Sequence, residues 1–363
     1  MTQVGTANDL GPSSAGKAER RSSSPWLDSQ PPRRILLIRF HAFGDVAITL
    51  PTAASLRQLH PESRIDYLTG GSVQDLLEAT ELFSKVVALP AKDSPPGRLV
   101  SAVKHALRLR GDDYELVIDL QRNWVSRLIR RTVRPKSWSE FDRFSRRSAA
   151  VRVRSAFMEA GLRQVVEDFR IPIARARIEQ ARMMLLHRGW NGDDPLIVLN
   201  PAGLWPSRNW PISSYVQFAR LWSRRSAAQF LIIGTGRVRE KVGILKKELG
   251  SKLIDTSGST SAGQALALLQ FASAVITEDS GLMHMSWASG IPTLALFGSS
   301  YHVWSAPVGV HCRTLHSGDL PCGACMEPSC RFGDTHCLSR YTAENVVGEL
   351  QDLLVSLRRG GAS

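Results

Sequence analysis

The stretch at residues 278–284 has the residue types of a phosphate site. It follows an apolar run typical of a buried strand and opens a segment with helical character. Asp279 or Ser280 can cap such a helix, and Gly281 allows a ligand to approach the backbone closely. Because the first N–H groups of a helix have no helical partner, this helix start favours a bound anion. The alternative is an ordinary capped turn between a strand and a helix.

Two further residues could carry out chemistry beside such an anion. Asp45 follows the first apolar run and begins a helix, where a carboxylate can act as a general base or only as a cap. Arg208 has a planar guanidinium that can hold a phosphate, and its neighbour Ser207 adds a hydroxyl donor. For Arg208 the alternative is a surface charge in a loop.

Alternating strands and helices must position these residues. Apolar runs predict buried strands at residues 34–40, 65–68, 85–89, 116–120, 196–199, 230–233, 253–254, 274–277 and 293–297. Helices are predicted between them, but residues 122–150 have little regular patterning and are followed by a short predicted helix at residues 155–161. The first helix covers about residues 46–59, where Pro51 could kink it, and the last covers residues 343–357. This alternation is typical of two α/β domains whose ligands bind at the carboxyl ends of the strands.

Length and composition predict a globular protein with two domains. The chain has 363 residues, of which 43% are hydrophobic and 22% are charged. We expect a disordered tail at residues 1–33, a first domain at 34–172, a second domain at 173–342, and a C-terminal helix and tail at 343–363. No apolar run reaches the ~20 residues of a membrane helix, and the chain does not begin with a signal-peptide pattern. A cytoplasmic protein with reduced thiols is therefore expected.

A basic segment at residues 122–163 carries much of the net charge of +13. It holds eleven arginines and one lysine against three acidic residues, a net charge of +9, with aromatic residues interleaved. Such a surface suits nucleic acid, a membrane surface, or a phosphorylated or carboxylated substrate, and a solvated basic face is the alternative. Motifs in which aromatic residues stack on RNA bases are not found, so a nucleic-acid partner is not expected.

Four cysteines fall within sixteen residues at the end of the second domain. Their spacing is C-x2-C-x4-C-x6-C, formed by Cys322, Cys325, Cys330 and Cys337. Four thiolates on one loop suit a closed structural zinc or iron site that leaves no position for catalysis. Reduced thiols without a metal, or two disulfides, are the alternatives. His336 is an alternative ligand.

Three motifs, at residues 43–51, 206–211 and 278–284, resemble in order and spacing those of glycosyltransferase family 9, the ADP-heptose:lipopolysaccharide heptosyltransferases. The resemblance covers about residues 35–357. It implies a GT-B fold, in which two Rossmann-like domains face a central cleft and a C-terminal helix can cross back. It also implies inverting sugar transfer from a nucleotide-diphosphate donor without a catalytic metal. The first domain would bind the acceptor and the second would bind the donor.

The resemblance assigns the main chemical roles by position. Asp45 resembles the family's general base, which takes the proton of the acceptor hydroxyl. Arg208 lies where the family usually has lysine, and it would pair with the donor pyrophosphate as negative charge develops there. The backbone of Ser280 and Gly281 would cradle the same phosphates.

The remaining candidate residues complete a donor site and an acceptor site. Asp279 would bind sugar hydroxyls, and Glu240 is a candidate partner for the nucleoside ribose. His284 would lie near the donor, or would only be packed in its helix. The acceptor would be an anionic glycolipid at the inner membrane surface, contacted by the basic segment through Arg122, Arg127, Arg130 and Arg143.

Other functions stay open at this point. An enzyme of the same fold could act on a protein or on another glycan, or could be a nucleotide-sugar epimerase. An epimerase would need a second set of acid/base residues in the cleft. A nucleic-acid-binding protein that uses the basic segment is the alternative outside the enzymes.

Overall fold

The predicted apolar runs become the buried strands of two sheets. The computed structural model describes residues 23–90 and 95–360, and within them each half of the chain forms a six-stranded sheet. In the strand Arg34–Ile38 the four residues after Arg34 are 0% exposed. A parallel strand that is covered on both faces requires such a continuous apolar run. The predicted class, two α/β domains, is confirmed.

The first domain alternates strands and helices along the chain. Its strands are β1 (Ser23–Ser24), β2 (Arg34–Ile38), β3 (Arg64–Gly70), β4 (Lys85–Leu89), β5 (Leu116–Asp119) and β6 (Ser137–Glu140). Its helices are α1 (Phe43–Ala47), α2 (Leu50–Leu59), α3 (Gln74–Glu78), α4 (Pro95–Arg110), α5 (Trp124–Val133) and α6 (Ala149–Glu159). The sheet order is β1-β6-β5-β2-β3-β4, and the edge pair of β1 and β6 is antiparallel while the other pairs are parallel.

The second domain repeats the arrangement after helix α7 (Arg175–His187). Its strands are β7 (Leu196–Asn200), β8 (Gln229–Ile232), β9 (Leu253–Asp255), β10 (Ala272–Glu278), β11 (Thr293–Phe297) and β12 (Cys312–His316). Its helices are α8 (Ile212–Arg225), α9 (Arg239–Leu249), α10 (Ala262–Leu269), α11 (Gly281–Ala288), α12 (His302–Ser305), α13 (His336–Ser339) and α14 (Ala343–Gly360). The strands pair in parallel in the order β12-β11-β10-β7-β8-β9, and α14 packs on α8 and β12.

The two domains touch through an apolar interface beside the cleft. One continuous cluster of buried residues includes Leu77 of the first domain and Leu266 of the second. Helix α3 packs on α10, and α1 packs on α11. The carboxylate of Asp75 adds polar links, because it accepts the Gly263 N–H at 2.7 Å and pairs with Arg177 at 2.9 Å. The interface therefore fixes the carboxyl ends of both sheets next to each other.

The first predicted helix differs from the observed one. The sequence predicts one helix over about residues 46–59, whereas the chain forms α1 from Phe43 and then a separate α2 with Pro51 in its first turn. Proline lacks the N–H that a continuous helix needs at this position, so the helix divides there. Because α1 already begins at Phe43, Asp45 lies inside its first turn and not in front of it.

The basic segment is more regular than the sequence predicts. Its arginines hide the pattern of α5, in which Ile129 and Val133 are buried while Arg131 is exposed. Strand β6 pairs with β5 in the same segment. The predicted helix at residues 155–161 is observed as the longer α6. Arginine is a good helix former, so a segment that is rich in arginine can form a helix with the arginines on its polar face.

The predicted tail reaches too far into the chain. Residues 1–22 lie outside the described residues, but β1 pairs with β6, and the Trp26 backbone N–H donates to the Ala160 carbonyl at 2.9 Å. Backbone hydrogen bonds to the first domain thus hold this segment, although its average composition indicates disorder. Every helix within residues 23–90 and 95–360 is too short or too polar to cross a lipid bilayer.

Candidate active site

A cavity of about 950 Å³ lies between the carboxyl ends of the two sheets. The first domain contributes residues 42–45 at the start of α1. The second domain contributes the segment after β7, the turn after β8, and the start of α11. The lining includes Asp45, Asn200, Gly203, Arg208, Lys241, Asp279, Ser280, Gly281 and His284. Most of the polar residues predicted for the site are therefore brought together on opposite sides of one space.

Asp45 is a partly exposed carboxylate held on one side. It is the third residue of α1, and its Oδ2 accepts the Ala42 N–H at 3.1 Å. Arg39, at the carboxyl end of β2, pairs with the same oxygen at 2.5 Å. The Asp45 side chain is 42% exposed, whereas that of Arg39 is 12% exposed. Asp45 can therefore cap the helix and also act as a general base, because its carboxylate is oriented by its partners and is still accessible to a substrate.

Arg208 and Asp279 form an ion pair on the opposite side of the cavity. Arg208 Nη1 lies 3.0 Å from Asp279 Oδ2, and the two side chains are only 14% and 12% exposed. The guanidinium stacks over the Trp205 ring, with 3.9 Å from Cζ to the ring centroid. The Nε of Arg208 is buried and lacks a hydrogen-bond partner within the described part of the chain. The ion pair and the stacking on Trp205 therefore fix the plane of the Arg208 guanidinium at the cavity wall.

The start of α11 is a capped helix N-terminus that faces the cavity. Ser280 is the N-cap, and its Oγ accepts the Met283 N–H at 3.3 Å and an Nδ2 hydrogen of Asn200 at 2.7 Å. Asn200 lies at the end of β7, and its position after a strand does not by itself indicate this role. At Gly281 a Cβ atom would meet the Phe43 ring at 2.9 Å, so glycine is required for the approach of α1.

His284 lies between the two carboxylates of the cavity. It is 8% exposed, and its Nδ1 accepts the indole N–H of Trp287 at 3.1 Å. Burial lowers the pKa of His284, while the charges of Asp279 and Asp45 act in the opposite direction. Because Nδ1 is an acceptor, the neutral ring carries its proton on Nε2. The two interpretations of His284 therefore coincide: it is a packed helix residue and it lines the cavity.

Glu278 is a buried carboxylate whose role the sequence does not reveal. It is 0% exposed, and its two oxygens accept the backbone N–H groups of Gly203 at 2.6 Å and Trp210 at 2.7 Å. These donors flank the segment that carries Arg208. Burial raises the pKa of Glu278 to about 7, and the nearby charge of Lys241 opposes that rise. Glu278 therefore ties the Arg208 segment to the end of β10.

Two predicted donor residues do not line the cavity. Ser207 is 2% exposed, and its Oγ bonds to the Ser299 hydroxyl at 2.8 Å and to the Glu327 carbonyl. It holds the loop that leads to the cysteines. Glu240 is exposed on α9 and is absent from the cavity lining, whereas the next residue, Lys241, is part of it. A helix turns about 100° per residue, so a shift of one position moves a side chain to another face. Neither side chain lines this cavity, and a role of either residue in donor binding stays a prediction.

Three of the four predicted acceptor arginines are held within the protein. Arg122, Arg127 and Arg130 pair with Glu140 at 3.3, 3.0 and 2.6 Å. Glu140 is 5% exposed, so its charge is compensated inside the domain. Arg143 lies in the exposed loop after β6. Acceptor binding by these arginines stays a prediction.

The four clustered cysteines are near one another but do not form a closed metal site. They are free thiols, and burial raises the pKa of Cys337, with further contributions from Cys330, Cys325 and Cys322. Within the residues that the structure describes, no three His, Cys, Asp or Glu side chains converge as metal ligands. The geometry observed here therefore does not match the tetrahedral site that the spacing predicts.

Comparison with known proteins identifies the family. The family model for "Glycosyltransferase family 9 (heptosyltransferase)" matches residues 100–336. Lipopolysaccharide heptosyltransferase 1 of Pseudomonas aeruginosa is 24% identical over 355 residues, which is 89% of this chain and 98% of the relative.

Solved structures share the fold. The family 9 glycosyltransferase of Veillonella parvula has a TM-score of 0.76 at 22% identity, covering 89% of this chain and 97% of its own. The ADP-heptose lps heptosyltransferase II of E. coli has a TM-score of 0.70 at 19% identity, covering 90% and 99%. The chain belongs to glycosyltransferase family 9 and is a glycosyltransferase with the GT-B fold.

Proposed function

We propose that this enzyme transfers a heptose from ADP-heptose to the lipopolysaccharide core or to another anionic acceptor of the cell envelope. The observation that carries the proposal is the opposition of Asp45 to Arg208 and the α11 N-terminus across one cavity. The names of the relatives support the sugar and the acceptor, since those proteins are described as heptosyltransferases of lipopolysaccharide.

The second-domain wall would bind the donor. Arg208 and the free N–H groups at the start of α11 suit the diphosphate, because both present positive charge to the same space. Lys241 lies beside them and adds a second cation. Asp279 and the Nε2 hydrogen of His284 would contact sugar hydroxyls. The ion pair and the helix cap hold these groups in place, and they would stabilise the charge that develops on the leaving diphosphate.

The reaction would be a single displacement with Asp45 as general base. The acceptor oxygen forms a bond to the anomeric carbon while the bond from that carbon to the phosphate oxygen breaks. The diphosphate leaves with the electron pair, and the proton of the acceptor hydroxyl passes to the Asp45 carboxylate. Attack on the face opposite the leaving group inverts the anomeric centre. Arg39 would keep the carboxylate aimed at the acceptor.

The acceptor side and the location follow from the same proposal. An anionic glycolipid would bring a cytoplasmic enzyme to the inner face of the cell membrane as a peripheral protein. Exposed basic residues such as Arg143 would contact acceptor phosphates and carboxylates. The paired arginines at Glu140 would shape that surface and leave fewer cations for direct contact.

The cysteine loop would have a structural role. We propose that the loop rearranges so that Cys322, Cys325, Cys330 and Cys337 bind zinc or iron when the metal is supplied, which would pin the loop over Ser207. Element analysis of protein purified without chelator should find about one metal per chain. Replacing Cys330 with serine should remove the metal and lower the thermal midpoint, whereas Cys312→Ser should leave the metal content unchanged. If the wild-type protein contains no metal and has the same thermal midpoint as Cys330→Ser, the cysteines do not have this structural role.

Turnover with defined substrates tests the central proposal. Purified enzyme should transfer heptose from ADP-heptose to a deacylated core oligosaccharide, and UDP and GDP sugars should be poor donors. No transfer from any nucleotide sugar would contradict the proposal. Transfer to a protein or an unrelated glycan, but not to the core oligosaccharide, would support the transferase activity and contradict the proposed acceptor.

A further inference from the structure

Helix α4 presents an apolar stripe to solvent. We define the stripe as Leu99, Val100, Val103 and Leu107, whose exposed fractions are 47%, 68%, 39% and 58%. Residues separated by three, four, seven or eight positions lie on one face of a helix, so these side chains are neighbours. Single exposed apolar residues are common on proteins, but a contiguous group marks a surface that binds a partner.

The stripe is not needed for the core of the first domain. The opposite face of α4 supplies that contact through Ala102, Ala106 and Leu109, each at most 1% exposed. Ala106 and Leu109 belong to the cluster that covers one face of the sheet together with residues of α5. Packing on the sheet and α5 therefore accounts for the apolar residues on one face of α4. The stripe on the other face has no apolar partner in the described part of the protein.

The charged residues of α4 itself are all basic, although Asp112 and Asp113 follow directly after its end. Residues 95–111 contain no aspartate or glutamate, and Lys104, Arg108 and Arg110 are exposed on α4. The neighbouring α5 also lacks acidic residues and exposes Arg131. An apolar stripe flanked by lysine and arginine is the pattern of a helix that lies in the interface of an anionic membrane.

We propose that the stripe and its basic flanks form the surface by which this protein docks on an anionic lipid bilayer. Charge complementarity favours this partner over a second copy of the chain, because a two-fold contact would place the basic flanks against each other. A nucleic acid would use the basic side chains but would leave Leu99, Val103 and Leu107 in contact with water. A bilayer satisfies both parts of the surface.

The position of the stripe agrees with the proposed glycolipid acceptor. This one argument rests on the proposed function. Helices α4 and α5 follow parallel strands, so both begin at the carboxyl edge of the sheet, where Asp45 lies. Trp124, the first residue of α5, is 54% exposed at that edge. Tryptophan favours the membrane interface. A bilayer on this surface would bring a lipid-anchored acceptor to the rim of the cleft.

The proposal assigns membrane contact to α4 and the adjoining part of α5, and not to the three arginines that pair with Glu140. Those arginines are engaged in internal ion pairs. Phe144, in the loop after β6, is 84% exposed and has Arg122 over its ring, with 5.4 Å from Cζ to the centroid. This loop is the competing contact, and it can be varied separately.

Vesicle co-sedimentation of the full chain tests the proposal without donor or acceptor. Wild-type protein should bind vesicles rich in phosphatidylglycerol and should bind phosphatidylcholine vesicles weakly. The triple variant Leu99→Ser, Val103→Ser, Leu107→Ser should reduce the bound fraction at least tenfold. Exchange of Lys104 and Arg108 for glutamine should weaken binding to anionic vesicles by roughly tenfold or more and reduce its salt dependence.

Matched controls separate docking from folding and from the reaction. Met183→Ser with Leu186→Ser removes exposed apolar side chains from α7 and should leave vesicle binding unchanged. The stripe variant should keep the far-ultraviolet circular dichroism spectrum and should keep wild-type turnover on a water-soluble acceptor. If no donor supports turnover but the stripe variant still loses vesicle binding, the proposed function fails while the docking surface stands.

Three results would overturn the docking surface. The first is equal vesicle binding by the wild type and the stripe variant. The second is loss of binding in Phe144→Ser alone. The third is a change of sedimentation mass in the stripe variant, which would identify the partner as a second copy of the chain.

Discussion

The two walls of the cavity hold their charges in different ways. On the second-domain wall Arg208 and Asp279 are 14% and 12% exposed and pair with each other. Behind them Glu278 is fully buried and bound to two backbone N–H groups. On the first-domain wall the carboxylate of Asp45 is 42% exposed, and Arg39 is its ion-pair partner. One wall is preorganised, and the other is accessible.

This difference follows from what each wall must do under the proposed function. A diphosphate is the same in every turnover, so fixed charges can match it without rearrangement. The acceptor is large and must enter and leave, so its base has to stay accessible. The predictions below test this division between a rigid donor wall and an accessible acceptor wall.

Removing the base should have the largest effect. Asp45→Asn should lower kcat by roughly 10²–10⁴-fold, because an amide cannot take the proton of the acceptor. Donor affinity should be unchanged, since Asp45 belongs to the other wall. Steady-state kinetics and calorimetric titration with ADP measure the two quantities. Asp113→Asn, at an exposed position of the same domain, is the control. An unchanged kcat would exclude Asp45 as the base.

The buried carboxylate of the donor wall should make stability depend on pH. The pKa of Glu278 is about 7 in the folded protein, against an ordinary value of 4.5. Between these values the folded state keeps a proton that the unfolded chain releases, so the free energy of unfolding falls as pH rises. The full effect is on the order of 3 kcal/mol.

Urea unfolding from about pH 5 to about pH 8 measures this slope. Other groups also titrate, so the comparison is between variants. In Glu278→Gln the free energy of unfolding should fall less over this pH range. This variant should also be less stable than the wild type at low pH, because its NH₂ group faces a backbone N–H donor. The exposed control Glu240→Gln should retain the wild-type slope. Equal slopes in all three proteins would contradict a protonated Glu278.

Loss of the Arg208 charge should weaken donor binding and affect kcat through the leaving group. Hydrogen bonds to charged groups contribute about 1.5–3 kcal/mol, so Arg208→Ala should bind ADP roughly 10–100-fold more weakly. Arg208→Lys should recover part of the affinity, because it restores the charge without the fork or the stacking on Trp205. Arg239→Ala, on the exposed side of α9, is the control. Unaltered ADP affinity in Arg208→Ala would remove this residue from the donor wall.

Forcing the two walls apart should have the smallest effect. At Gly44 a Cβ atom would lie 2.6 Å from Cδ2 of His284 and 3.4 Å from Cα of Gly281. Gly44→Ala should therefore lower stability by about 1–3 kcal/mol and reduce turnover. Gly243→Ala is the matched control, since no atom lies within 4 Å of its Cβ and helix propensity favours alanine. Equal behaviour of the two variants would show that the contact between α1 and α11 does not matter.

The sequence predicts the framework well because buried parallel strands are continuous apolar runs. Strands β2, β7 and β10 are typical cases, since each is nearly free of charge. Helix α5 is missed because its arginines obscure its two buried aliphatic residues. The short strand β1 is missed because its pairing with β6 is a long-range contact that local composition does not show.

Site residues are predicted where a motif coincides with the end of a strand. They are missed where their role depends on contacts that the local sequence does not show. Asp45 and Arg208 follow strand ends, so their arrival at one cleft follows from topology. Arg39, Asn200 and Glu278 gain their roles from partners that are distant along the chain or from local geometry. No local pattern distinguishes such residues from ordinary strand ends.

The position of a bound nucleotide sugar tests the division between the walls most directly. A crystal structure with ADP-heptose or a non-reactive analogue should place the diphosphate against Arg208 and the N-terminus of α11, with the anomeric carbon facing Asp45. A diphosphate bound to the first-domain wall, or a sugar turned away from Asp45, would contradict the account.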